Sequence, residues 1–99
     1  MQLYAILRRS GWRSGGELKQ AAARSTKVDN KGMPNEVRWI RSYMLDEGAD
    51  SIGTVCIHEA TAQRRIRKHA SLADLPVDEI IHIADTVVRP DPEPAAATA

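Results

Sequence analysis

The chain contains no phenylalanine, and aromatic residues make up 4% of its 99 positions. Its core must therefore be built from Ile, Leu, Val and Ala. That is thin for a monomer, and it predicts a homodimer that pools two cores. A single cysteine excludes an intrachain disulfide framework and suits a reducing, cytoplasmic setting. No apolar run reaches the length of a membrane span, and Met1–Arg9 is too short and too late in its arginines for a signal peptide. A formal net charge of +1 gives no case for nucleic acid or an anionic membrane as partner. The dinucleotide, Walker A, H-E-x-x-H and C-x-x-C patterns are all missing.

What is present centres on residues 35–60. Val37–Leu45 and Ser51–Glu59 are rich in β-branched and aromatic side chains, and Asp46–Asp50 between them supplies turn chemistry. This stretch predicts a β-hairpin. Before it, residues 2–8 read as a central strand and Ser10–Arg13 as a turn. Ser14 and Glu17 have the spacing of a capping box for a helix reaching about Ser25. Residues 26–36 read as a loop. After the hairpin, Thr61 is placed to cap a second helix in which Ala62, Ile66, Ala70 and Ala73 recur at helical spacing. Asp74-Leu75-Pro76 ends it. Ile80–Val88 reads as a last, largely buried strand, and the proline-rich residues 90–99 as a disordered tail.

The order β-α-β-β-α-β predicts an α+β, ferredoxin-like sandwich over residues 1–89, with both helices on one face of an antiparallel sheet. The bare face then meets a second copy, giving a dimeric α/β barrel around a cavity.

Cys56 and His58 are two apart on a strand and share a face. A thiol and an imidazole together are natural ligands for nickel, zinc or copper. The plainer structural reading is a buried cysteine beside a hydrogen-bonded histidine. His69, late in the second helix, reads either as a further ligand or as a histidine favoured by the helix dipole. His82 reads as a core histidine, or as a ligand sharing a face with Ala5.

Trp39, Arg41 and Tyr43 line one face of the first hairpin strand, and Ile40, Ser42 and Met44 the other. The hairpin register decides which set joins Cys56 and His58, because a slip by one exchanges faces. The first set would form an aromatic and polar pocket for a metal or small anion; the second would put Ser42 and Thr54 beside Cys56 and His58. Arg64, Arg65, Arg67 and Lys68 read as a solvated helix face. A Cys-His pair without an orienting third group or oxyanion hole reads as a binding site rather than an enzyme's active site.

V-R-W-I-R-S-Y (37–43), C-I-H-E-A (56–60), R-K-H-A (67–70) and L-P-V-D-E-I (75–80) resemble domain-of-unknown-function family 4242, the nickel-binding-protein-like group. The resemblance covers about residues 2–90. It implies a ferredoxin-like fold, a dimeric α/β barrel and nickel binding, with Trp39, Ser42, Tyr43, Cys56, Glu59 and His69 matching the family pattern. The chain departs from that pattern at His58, where an aromatic is more usual, and at Thr61 and Asp74, which replace a proline and a glycine. Arg8 lies near a place where glutamate is common.

These readings give a cytoplasmic, homodimeric protein that sequesters or responds to a divalent metal, nickel first and zinc or copper next. Cys56 and His69 are the preferred ligands, with His58, Tyr43 and His82 as candidates. The alternative is a dimeric barrel that binds or converts a small molecule in a pocket on the open sheet face, using Trp39, Arg41 and Tyr43.

Overall fold

The computed structural model describes residues 1–90; the expected disordered tail lies outside them except for Pro90. Six regular elements follow the expected order: β1 (Gln2–Trp12), α1 (Gly15–Lys27), β2 (Val37–Asp46), β3 (Ile52–Ala60), α2 (Gln63–Ala73) and β4 (Glu79–His82). The strands form one antiparallel sheet in the order β2-β3-β1-β4. This is the split βαβ arrangement that the element order predicts.

β1 runs longer than expected. Ser10 takes φ 48, a bulge shifts the register between Arg8 and Trp12, and Trp12 then rejoins the ladder opposite Ile52. The anticipated turn at Ser10–Arg13 is thus strand with one irregularity. Glu47, in the β2–β3 turn, holds it in place by accepting from the Ser10 backbone N–H and the Arg9 side chain. Those donors hold the Glu47 carboxyl below its usual pKa.

Ser14 caps α1 as its sequence predicts, accepting from the Glu17 N–H at 3.2 Å, while Glu17 reaches back to the Arg13 N–H. The expected loop after it begins instead as a π-helical turn over Val28–Gly32 that continues directly from α1. Thr61 does not cap α2. Its backbone N–H is bonded to Glu36, and the non-helical residue at the helix start is Ala62. Asp74 closes α2 in the left-handed region with φ 55, ahead of Pro76.

The last strand is Glu79–His82, much shorter than Ile80–Val88, and it is not buried. It lies at the sheet edge and pairs with β1 from Tyr4 to Leu7; Ile83 then bonds to Leu3, near where β1 begins. Beyond that point no partner strand remains among the described residues, and Val87 and Val88 are exposed.

Tyr4, Ile6, Val37, Cys56 and Ala60 point from the sheet towards Ile66 of α2, with Met33 closing the side. That small core fits the shortage of aromatics.

Candidate functional site

The β2–β3 register combines the two arrangements open in the sequence. Trp39 stands opposite His58, yet the next pair is Arg41 with Ile57, so Ile40 is an extra residue bulged out of the ladder. From there Ser42 faces Cys56 and Met44 faces Thr54. The bulge places Trp39, Ser42 and Met44 on the face of Thr54, Cys56 and His58. Arg41 and Tyr43 go to the opposite face beside Ile57 and Val55, and Tyr43 is exposed. Trp39, Arg41 and Tyr43 therefore do not form one pocket.

The shared face is the helix-covered one. Across the ladder from Thr54, Cys56 and His58 stand Arg8, Ile6 and Tyr4 of β1. A cavity of about 370 Å³ opens between this face and α1, bordered by Trp12, Leu18, Ala22, Trp39 and Met44 among others, with Arg8, Thr54, Cys56 and His58 in its wall. It lies inside the sandwich, on the side away from the open face where the pocket of the alternative reading was expected.

Cys56 is held by a run of side chains. The Trp39 indole donates to Ser42 Oγ at 2.9 Å, Ser42 donates to Cys56 Sγ at 3.0 Å, and the thiol donates to Thr54 Oγ1 at 3.3 Å. In its neutral form the sulfur thus both accepts and donates.

His69, placed by the inward stripe of α2, is fully buried. Its ring meets His58 edge to face, with centroids 5.3 Å apart. His69 Nε2 lies 3.2 Å from the Ser25 carbonyl, which can only accept, so in the neutral ring Nε2 carries the proton and Nδ1 the lone pair. Asp29 Oδ1 also approaches Nε2 to 2.9 Å, without hydrogen-bond alignment, while Oδ2 accepts from the Trp39 backbone. The Nδ1 atoms of both histidines are buried with no hydrogen-bond partner among the described residues. Burial is the main cause that pushes the His58 pKa down to about 3, with His69 and Arg8 adding to it, so His58 is neutral at pH 7.

Arg8 is 1% exposed, and its Nε and Nη2 have no hydrogen-bond partner among the described residues. Desolvation lowers its pKa, and neighbouring Cys56 favours its charged form. His82 is neither in the core nor beside Ala5. It is exposed on the edge strand opposite Tyr4, with ring centroids 5.4 Å apart.

Of the expected residues, the fold brings Trp39, Cys56, His58 and His69 together and leaves Arg41, Tyr43 and His82 elsewhere. Arg8, Ser25 and Asp29 were not among the expected site residues. Arg8 was legible in part, since Tyr4, Ile6 and Arg8 alternate along one strand face. Nothing local marks Ser25 or Asp29, which reach His69 through helix packing.

The fold and site define a small α+β protein with a mostly apolar cavity under its helices, with Arg8, Cys56 and His58 in its wall. A family model described as nickel responsive protein SCO4226-like matches residues 4–83, and the chain belongs to that family. The match supports the nickel aspect of the resemblance and carries the SCO4226-like name rather than the 4242 label. The crystal structure of SCO4226 from Streptomyces coelicolor A3(2) has the same fold, with a TM-score of 0.69 at 15% identity over 86% of this chain and 99% of that one. No curated protein matches the chain. Among the described residues no helix is long and apolar enough to cross a membrane.

Nickel fits the donor chemistry here, since neutral imidazole suits it and two imidazoles offer unpartnered nitrogens. Among the described residues no three His, Cys, Asp or Glu side chains converge into a closed coordination shell. The chain offers a histidine pair with Cys56 alongside, not a complete cage.

Proposed function

We propose that this chain binds a divalent transition metal at His58 and His69, nickel first and zinc or copper next, to sequester the ion or respond to it. One observation carries the proposal: two buried imidazoles meet with both Nδ1 atoms unpartnered. A buried polar atom without a partner is costly, and a metal ion is one group that can take up such lone pairs. The Ser25 carbonyl and Asp29 sit at His69 Nε2, leaving Nδ1 as its open atom. A carboxylate or carbonyl behind a ligating histidine is a recurrent support for metal sites. His58 is already neutral at pH 7 and need lose no proton to ligate. Cys56 joins as a third ligand if it gives up its hydrogen bond to Thr54.

The protein acts as a cytoplasmic homodimer through its open sheet face, on which Ala5, Leu7, Val55, Ile57, Tyr43 and Ile81 form a largely apolar surface. The single buried thiol supports a reducing compartment.

The test is elemental analysis after nickel loading and desalting. Wild type should retain the ion, His58→Ala and His69→Ala should lose it, and Tyr43→Phe and His82→Ala should keep it. Wild type that retains no nickel would sink the proposal.

A further inference from the structure

The cavity wall contains a feature that a metal site does not use. Arg8 is a buried cation with two unpartnered N–H groups, and no salt bridge reaches it among the described residues. An uncompensated charge in such a place is strongly unfavourable, and an opposite charge is what relieves it. Among the described residues no carboxylate does so, and the neighbouring Cys56 thiol is the group that favours its charged form. The cavity lining includes Arg8 and Lys19 and no Asp or Glu. His58 and the hydrogen-bonded Cys56, Ser42 and Thr54 stand on the same wall as Arg8.

We propose that the cavity is a binding site for a small organic carboxylate with an apolar body, with Arg8 as the residue that receives the carboxylate. Nε and Nη2 are the two donors on one edge of a guanidinium, and their parallel N–H bonds match the two oxygens of a carboxylate. Opposite the polar wall, Trp12, Leu18, Ala21, Ala22 and Leu75 form an apolar enclosure that suits a hydrocarbon or aromatic body. The volume lies in the range of small-molecule sites. A monoanion matches the one desolvated charge, whereas a doubly charged phosphate would bring uncompensated charge into a mostly apolar space. The cavity shares His58 and Cys56 with the proposed metal site, but the carboxylate is received by Arg8 and needs no metal.

The test uses octanoate and its uncharged counterpart octanamide. Both tryptophans of the chain border the cavity, so their fluorescence reports occupancy. All titrations contain a chelator, which prevents a carboxylate from binding through a metal and separates this outcome from that of nickel binding. Wild type should bind octanoate about tenfold or more tighter than octanamide, because charge-assisted hydrogen bonds are the stronger kind. Arg8→Met should bring the two affinities together. Ala22→Phe, which fills the cavity from α1 and leaves Arg8 intact, should weaken both while the circular dichroism spectrum stays native. Equal affinities in wild type, or no binding of either compound, overturn the proposal. So does a preference for octanoate that survives in Arg8→Met, or affinity unchanged in Ala22→Phe. If Arg8→Met does not fold, the wild-type comparison and Ala22→Phe decide the matter.

Discussion

His58 of β3 and His69 of α2 meet edge to face, their ring centroids 5.3 Å apart, with both side chains at most 1% exposed. A strand and a helix thus each commit a titratable ring to the same dry volume. Burial favours the neutral form of His58, which makes that ring a liability in acid; the pair together is a candidate ligand set.

The acid liability has a sign and a window. His58 titrates at about 3 when folded, against an ordinary value of 6.5, so between those values the unfolded chain binds the extra proton. Its contribution to stability is complete above pH 6.5 and is lost as pH falls towards 3, at up to about 1.4 kcal/mol per pH unit. Urea unfolding at a series of pH values should show this slope, and His58→Phe should flatten it. Wild-type stability that stays level from pH 7 to pH 4 would contradict the assignment.

Ser42 joins Trp39 to Cys56, and its removal should be felt at both ends. Ser42→Ala leaves the Trp39 indole N–H without its acceptor and Cys56 without its donor. A loss of about 1–3 kcal/mol is expected for orphaned, partly buried groups. The drop should appear in denaturant melts together with a shift in tryptophan emission. Unchanged stability and emission would mean that water replaces the hydroxyl freely.

The open sheet face should control assembly. Ile57 lies at its centre, between Ala5 on β1 and Arg41 on β2. Ile57→Lys puts a charge in the middle of a proposed dimer contact, while the outward position leaves the core of the protomer unaltered. Light scattering coupled to gel filtration should give a dimer for wild type and a monomer for the variant, with circular dichroism unchanged. A monomeric wild type would show that the face has another use.

A substitution at Glu47 offers a separate acid probe. Its carboxyl is held below the ordinary range by the Ser10 N–H and Arg9, so its contribution is present above that range and lost as pH falls through the lowered value. Glu47→Gln should lower the melting temperature at pH 7 and narrow the gap from wild type in strong acid. A constant gap across pH would show that charge at Glu47 does not matter.

Local chemistry determined much of this protein. Ser14 and Glu17 set the start of α1, the Asp46–Asp50 segment set the hairpin turn, and Asp74 before Leu75-Pro76 set the end of α2, because each acts through neighbouring backbone groups. The alternation of Cys56 and His58 along β3, and the recurrence of Ile66, Ala70 and Ala73 on α2, fixed which residues share a face. Tertiary structure decided how those faces combine. One bulged residue, Ile40, without a glycine to announce it, moved Trp39 to the side of Ser42 and sent Arg41 and Tyr43 to the other face. The edge position of β4 left Val87 and Val88 without a partner strand, although their composition alone reads as buried strand. The pairing of His69 with His58, and the burial of Arg8 beside Cys56 with no carboxylate paired to it among the described residues, depend on how α1 and α2 settle on the sheet. Such contacts join residues far apart along the chain, and their energies come from burial that exists only after packing, so no local pattern records them.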